Sequence, residues 1–137
     1  MVKVLTVIEP WGTLIAKGFK HIETRSWRTH YRGDILIHCG KKKINYKDFP
    51  ELERIVQTKK LDLRYGEIIC KAQLVDCIEM DEDFIKEVHL NTEEFVLGFY
   101  EVGRFAWILE EIEELRNPIP VSGKLSLWEW QGNTDVI

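Results

Sequence analysis

The sequence predicts an α+β domain, a small mixed β-barrel with short helices packed around it. Its 137 residues are enough to bury one hydrophobic core but not two, so we expect a single domain over residues 1–137. Five or six segments have the β-branched and aromatic composition of strands, and short helical patterns separate them. Strands this short do not suit a large open sheet, and closure into a barrel protects their edges.

The N-terminal part of the chain predicts a strand, a helix and a second strand. VKVLTVI is a short apolar run rich in β-branched residues, which is typical of a strand. PWGTLIAKG predicts a short helix, because Pro10 fits a first helical turn and Gly18 is placed to end it. HIETRSW alternates as a strand does. One face of that strand would carry His21, Glu23, Arg25 and Trp27.

The middle of the chain predicts a buried strand, a surface helix and a long strand. GDILIHCG is apolar enough to be buried on both faces. NYKDFPELERIV is interpreted as a short surface helix with a loop before it. EIICKAQLVDCIEM fits either one long strand or a bent pair of strands.

The C-terminal part predicts a helical turn and two strands. DEDFIKEV is interpreted as the helical turn, and RFAWILEEIEELRNPIPV as a strand, although the EEIEE alternation also fits a helix. In the strand interpretation, Glu111, Glu113 and Arg116 lie largely on the solvent side. GKLSLWEW closes the domain, and its two tryptophans stand two positions apart on one strand face.

Composition argues against several classes of protein. No apolar run approaches the roughly 18–20 residues that a membrane-spanning helix needs, and the first strand starts too early for a signal peptide. Cys39, Cys70 and Cys77 are odd in number and lack C-x-x-C spacing, so we expect core thiols in a reducing cytoplasm. The four histidines have no H-x-H or H-E-x-x-H spacing. We therefore expect no metal and no cofactor.

Charge is distributed unevenly along this chain of net charge −4. Residues 1–64 have a balance of +7, and residues 65–137 a balance of −11. Between Lys17 and Lys47, nine basic residues stand against two acidic ones. Such separation favours a basic face that attracts polyanions. The alternative is that the two parts pair across the fold and cancel.

Lys20, Glu23 and Arg25 form the candidate site. Glu23 and Arg25 share a face of the predicted strand, about 6.5–7 Å apart along it, and Lys20 stands at its entrance. A guanidinium suits a phosphate or a base carbonyl, and a neighbouring carboxylate accepts from amines or sugar hydroxyls. The competing interpretation is a plain surface ion pair between Glu23 and Arg25, worth at most about 1 kcal/mol.

Two tryptophans and two arginines extend this candidate site. Trp27 and Trp11 flank the basic motif and are candidates for base stacking, although a tryptophan in a strand more often fills a core. Arg28, His30 and Arg32 stand at alternate positions, and the two arginines are candidates for contacts with a nucleic-acid backbone, which would make binding fall with salt. A solvated charge run is the alternative, and it is the better interpretation for the three lysines at 41–43.

A long motif resembles a known family. It reads P-W-x-x-L-I-x-x-G-x-K-x-x-E-x-R-S-W and is followed by Y-R-G-x-I-L-I-H, which is similar to the ASCH (activating signal cointegrator homology) domain family. LVDC, GRFAWIL and PIPVSGKLSLWEW agree, so the resemblance runs from about Val4 to Trp130. It implies a PUA-like fold, a small β-barrel with a cleft lined by the G-x-K-x-x-E-x-R motif. It also implies the handling of RNA, nucleotides or modified bases in that cleft.

The resemblance also raises the question of enzymatic activity. Some ASCH proteins are amidohydrolases that act on N4-acetylcytidine through a lysine, a threonine and a glutamate, the first two in G-x-K-x-x-T-x-R. Here Lys20 matches, but Glu23 replaces the threonine, and Thr24 would point to the opposite face of the strand. The nucleophile of that branch is therefore missing. Lys20 and Glu23 remain candidates for acid–base catalysis, with Glu93 or Glu94 as the candidate second carboxylate.

These residues support two main functional hypotheses. The favoured one is a nucleic-acid-binding module whose basic cleft holds a nucleotide of single-stranded or modified RNA. In it, Lys20 and Arg25 bind polar or phosphate groups, Glu23 orients the base and Trp27 stacks on it. The second is a small hydrolase acting on a modified nucleoside, or a ribonuclease, with Lys20 and Glu23 catalytic. A protein-interaction domain that uses the acidic half is a third, and no membrane partner is expected.

Overall fold

The computed structural model describes residues 2–132 as one mixed sheet with short helices around it. The strands are β1 (Val2–Val7), β2 (Ile22–Arg25), β3 (Gly33–Cys39), β4 (Glu67–Glu79), β5 (Phe105–Pro120) and β6 (Leu127–Trp130). The helices are α1 (Trp11–Ala16), α2 (Pro50–Thr58), α3 (Glu82–His89) and α4 (Thr92–Val96), with a 3₁₀ turn at Tyr46–Asp48. The predicted α+β class is confirmed.

The six strands lie in the order β2-β5-β4-β3-β1-β6. β1 and β3 run parallel, and all other neighbouring strands run antiparallel. The expected closure into a barrel is not found, because no backbone pairing joins the edge strands β2 and β6 within residues 2–132. Each edge strand has only four residues, and short edges offer little template for unwanted pairing.

The open sheet is nevertheless strongly curved. Three strands separate β2 from β1 in the sheet order, yet Arg25 of β2 donates from Nη2 to the carbonyl oxygen of Thr6 in β1 at 2.8 Å. β4 and β5 form the longest pair, and register shifts interrupt it at three places. One of them adds a residue to β5 beside Glu111, which has a φ of 50°. Such bulges bend a strand pair and increase its twist.

The hydrophobic core has parts on both faces of the sheet, since the neighbouring residues Val4 and Leu5 of β1 belong to different clusters. The main cluster packs α1 on β1, β3, β4 and β5, and its largest fully buried side chain is Trp107. A second cluster seals β6 onto the sheet through Trp128, and a third joins α1 and α2 to Leu97. The predicted core thiols are confirmed as buried free cysteines at Cys39, Cys70 and Cys77.

The long segments after residue 66 resolve the alternatives left open by the sequence. EIICKAQLVDCIE is one strand of 13 residues, and EEIEE lies inside the 16-residue strand β5 rather than in a helix. The segment from Asp81 forms a helix of eight residues, with the Asp81 side chain accepting from the Phe84 N–H. Helix α4 was not expected, because five residues are too few to show a helical period.

Candidate nucleic-acid cleft

A cleft of about 590 Å³ opens where β1 and β2 approach each other. Ligand sites for small molecules have volumes of roughly 300–1,000 Å³, so a nucleoside is of suitable size. Four chain segments supply the lining. They are residues 6–8 with Trp11, residues 23–25, residues 48–52, and residues 96–99 with Arg104.

Glu23 and Arg25 form an ion pair on the wall of this cleft. Arg25 donates from Nε to Oε2 of Glu23 at 3.1 Å, and its Nη2 lies 2.9 Å from the same oxygen. Only 9% of the Glu23 side chain and 23% of the Arg25 side chain is exposed. Because Arg25 also binds the Thr6 carbonyl, the pair is held in one geometry and is not a plain solvated surface pair.

Lys20 lies beneath this pair and is 1% exposed. Its Nζ donates to the carbonyl oxygens of Ile22 at 2.5 Å and Leu97 at 2.9 Å, and it lies 3.7 Å from Oε1 of Glu23. Burial lowers the pKa of the Lys20 ammonium, while the nearby carboxylates of Glu23 and Glu94 oppose that shift. The structure thus brings together the three charged groups of the sequence motif, with Lys20 below the surface.

Glu94 is a buried carboxylate that contacts the start of β2, close to Lys20 and Glu23. Its Oε1 accepts from the His21 N–H at 2.8 Å, and its Oε2 accepts from the Ile22 N–H at 3.3 Å. The side chain therefore satisfies the backbone donors where β2 begins. Glu93 points elsewhere, is exposed and pairs with Lys59 at 3.3 Å. Neither carboxylate lines the cleft, so the structure gives neither a direct place beside a ligand.

The two candidate stacking tryptophans lie in different parts of the structure. Trp11 lines the cleft, and its ring packs edge-on against Phe49 with the ring centroids 5.5 Å apart. Trp27 lies outside the cleft and packs edge-on against the core residue Trp107, with the centroids 4.8 Å apart. The expected common face ends early because β2 stops at Arg25, where its partner strand β5 begins at Phe105.

The candidate backbone-binding arginines also lie outside the cleft. Arg28 pairs with Glu79 at 3.1 Å and covers the ring of Phe105. Arg32 pairs with Asp76 at 3.6 Å. Both partners belong to β4, so part of the basic segment pairs with the acidic half across the fold, which was the alternative interpretation of the charge pattern.

Three lining residues were not singled out by the sequence. Phe49 and Phe99 are 40% and 57% exposed, and Arg104 places its guanidinium over the Phe99 ring. Phe49 and Phe99 lie outside the predicted strands, where periodicity gives no signal, and Arg104 is the first residue of a predicted strand that in the structure begins at Phe105. The lining also contains carboxylates at Glu23, Asp48 and Glu51. The cleft is therefore of mixed charge and not uniformly basic.

Thr6 connects the cleft to a buried histidine. The Trp128 indole N–H donates to Thr6 Oγ1 at 3.0 Å, and the Thr6 hydroxyl lies 3.2 Å from His38 Nδ1. His38 Nε2 donates to the Val121 carbonyl at 2.7 Å. Burial lowers the pKa of the His38 imidazole. These contacts hold β1, β3 and the segment before β6 together behind the cleft.

The described residues place two limits on other kinds of site. Among residues 2–132, no group of three or more His, Cys, Asp or Glu side chains is arranged to hold a metal ion. In the same range, every helix is too short or too polar to cross a membrane.

Comparison with known proteins agrees with the fold and covers most of the chain. The family model of the ASCH domain matches residues 5–119. Activating signal cointegrator 1 from Homo sapiens and from Mus musculus are 26% and 24% identical over 133 residues, which cover 91% of this chain and 22% of each relative. This chain thus spans less than a quarter of the length of those curated relatives.

A solved structure of another protein also matches this chain. The crystal structure of a mutant ZmASCH protein from Zymomonas mobilis superposes with a TM-score of 0.57 at 14% identity. The match covers 94% of this chain and 89% of the other, so the two share a fold. Because the family model accounts for well over half of the sequence, this chain belongs to the ASCH domain family.

Proposed function

We propose that this ASCH domain binds RNA and that its cleft holds one nucleoside of a single-stranded or modified strand. ASCH domains are generally RNA-binding modules with a PUA-like fold. The observation that carries the proposal is the Glu23–Arg25 pair, a carboxylate and a guanidinium fixed side by side on the wall of a cleft of nucleoside size.

The geometry of the pair leaves one donor group of Arg25 and one acceptor oxygen of Glu23 to contact a ligand. Both contacts between Arg25 and Glu23 are made to Oε2, and within residues 2–132 no hydrogen bond engages Arg25 Nη1. Among the described residues, the one polar contact recorded for Oε1 of Glu23 is that with Lys20 at 3.7 Å. An acceptor and a donor in fixed positions match a base edge that presents a donor beside an acceptor.

The rest of the lining suits a base better than a phosphate backbone. It is largely apolar, with Val7, Leu52 and Leu97 among its members, and Trp11 adds an aromatic surface. The carboxylates of Asp48 and Glu51 disfavour phosphate inside the cleft. We therefore expect a weak salt dependence, equivalent to about one or two phosphate contacts.

A hydrolase that uses Lys20 and Glu23 is the competing function. In its favour, burial lowers the pKa of Lys20 toward the range in which an amine acts as a base. Against it, the Lys20 ammonium already donates to two backbone carbonyls and faces Glu23, which is the environment of a structural cation. Binding is therefore the better supported function.

Polarisation titrations with a short labelled single-stranded RNA test the binding proposal. Arg25→Ala should weaken binding about 10- to 100-fold, since charged hydrogen bonds contribute about 1.5–3 kcal/mol. Arg28→Ala is the matched control, because Arg28 lies in the same basic segment but outside the cleft, and it should stay within about twofold. No binding by the wild-type domain at low salt would overturn the proposal.

Glu23→Gln separates binding from hydrolysis. The amide keeps the size of the side chain and one acceptor but removes the base. If wild-type protein releases acetate from N4-acetylcytidine, or cleaves the RNA, and Glu23→Gln stops turnover while RNA still binds, the hydrolase is correct. Absence of turnover by wild-type protein that binds RNA supports a binding module.

A further inference from the structure

Phe99 is an exposed aromatic side chain on the wall of the cleft. It follows α4, lines the cleft and is 57% exposed, more than Phe49 at 40%. Exposed rings of this size leave apolar surface in water at a cost in free energy. A ring kept at the mouth of a ligand-sized cleft therefore calls for an explanation in terms of what binds there.

The backbone of Phe99 is fixed although its ring is exposed. The Phe99 N–H donates to Thr24 Oγ1 at 3.0 Å, and its carbonyl accepts from Arg104 Nε at 3.2 Å. The preceding Gly98 is packed so closely that a Cβ there would lie 2.5 Å from Cε2 of Tyr100. The ring is thus carried on a rigid support tied to β2 and to the start of β5, which lowers the entropy lost when a ligand orders it.

One face of the Phe99 ring is covered by a cation. The guanidinium carbon of Arg104 lies 4.5 Å from the ring centroid, and its Nη2 is 3.4 Å from the Thr24 carbonyl oxygen. A guanidinium over an aromatic ring is an attractive arrangement that also limits ring rotation. The exposed area of Phe99 consequently lies on its edge and its second face.

We propose that Phe99 is the surface on which the bound nucleobase stacks, with Arg104 bracing the ring from its other face. Phe99 has this role if the cleft binds RNA, the function proposed above. Rings of fixed orientation bind bases of any sequence because every base has a π-face. Phe99 thus takes the role that the sequence suggested for Trp27, whose ring packs on the core.

Substitutions at Phe99 test this role in the same polarisation titration. Phe99→Ala should weaken binding of the RNA about 5- to 150-fold, which is the range for loss of one stacked base. Phe99→Leu keeps apolar area without a ring and should weaken binding to a similar degree, whereas Phe99→Tyr keeps the ring and should bind like wild type. Val102→Ala is the matched control, because Val102 is 59% exposed three residues along but does not line the cleft.

An abasic oligomer of the same length identifies what the ring touches. If Phe99 stacks on a base, Phe99→Ala and wild type should bind the abasic oligomer with equal affinity. An equal loss on both oligomers would mean that the ring contacts the sugar–phosphate chain, which overturns stacking. Wild-type affinity in the Phe99→Leu variant would also overturn stacking.

The outcomes separate this inference from the function on which it depends. Wild-type protein that does not bind RNA even at low salt overturns both. Wild-type protein that binds, with Phe99→Ala unchanged and Arg25→Ala weakened, overturns the stacking role alone. Because Phe99 is exposed, its variants should keep the thermal midpoint of the wild type, and this is checked by a thermal melt.

Discussion

Lys20 Nζ lies 2.9 Å from the carbonyl oxygen of Leu97, 77 positions later in the chain. This one buried ammonium joins the start of β2 to the residue that follows α4. Both segments continue into the cleft, through Glu23 on one side and Phe99 on the other. The charged motif of the sequence therefore has a structural member, Lys20, beneath two members at the surface of the cleft.

Replacement of Lys20 by Met should lower the free energy of unfolding by about 2–4 kcal/mol, because two carbonyl oxygens lose their donor and the buried Glu23 carboxylate keeps only Arg25 as a cation. Urea unfolding followed by tryptophan fluorescence measures this. Lys17→Met is the control, since Lys17 pairs with Glu114 at the surface, and it should cost less than about 1 kcal/mol. Equal effects of the two variants would contradict the structural role.

Glu94→Gln should destabilise the domain by about 1–3 kcal/mol, because its carboxylate accepts from two backbone N–H groups and an amide has one oxygen to offer. The neighbouring variant Glu93→Gln changes the same group at an exposed position and should have an effect below about 0.5 kcal/mol. Thermal and urea unfolding compare the pair. The expected order reverses if Glu93 carries the contact with β2.

His38 should make the fold sensitive to mild acid. Burial, and to a lesser degree the Lys41 cation, lowers the pKa of its imidazole, while the hydrogen bond to the Val121 carbonyl opposes this. The unfolded chain takes up a proton near pH 6.5, whereas the native state takes it up only at lower pH. The free energy of unfolding should therefore fall as the pH drops below about 6.5.

The acid sensitivity is measured by urea unfolding between pH 7 and pH 5, wild type beside His38→Asn. The variant should be less stable at pH 7 and should lose less stability than wild type over this range. His30→Asn, which removes an exposed histidine, is measured beside them as the control. Parallel slopes for wild type and His38→Asn would show that other groups cause the acid sensitivity.

Gly12 gives a test of packing between α1 and β3. A Cβ at this position would lie 2.5 Å from Sγ of Cys39 and 3.2 Å from Oε1 of Glu9. Gly12→Ala should therefore cost about 1–3 kcal/mol, although alanine is the better helix former. Adding Cys39→Ala removes the sulfur and should recover most of the loss. Additive losses in the double variant would mean that the sulfur is not the obstacle.

The charged motif was predictable from the sequence, because residues two apart on a strand share a face whatever the rest of the fold does. That rule placed Glu23 beside Arg25, and the structure has them in contact. The rule failed for Trp27, since the end of β2 is set by where β5 begins, at Phe105. No local pattern encodes that pairing.

The remaining cleft residues depend on tertiary packing. Phe49 and Phe99 come from connecting segments, where exposure of a ring depends on which neighbours arrive from elsewhere in the chain. Whether the sheet closes into a barrel was also not predictable from the sequence. The composition of the strands suggested a barrel. In the structure, β2 and β6 have only four residues each, and a side-chain contact from Arg25 to Thr6 bridges the open side of the sheet.

The contact between Arg25 and Thr6 has a consequence for how a long polymer would reach the cleft. A side chain, and no ladder of backbone hydrogen bonds, spans the gap between β1 and β2 in residues 2–132. A polymer laid across such a gap does not need to be threaded in by its free end. If the cleft binds RNA as proposed above, an internal position of a continuous strand can enter it as readily as a terminus.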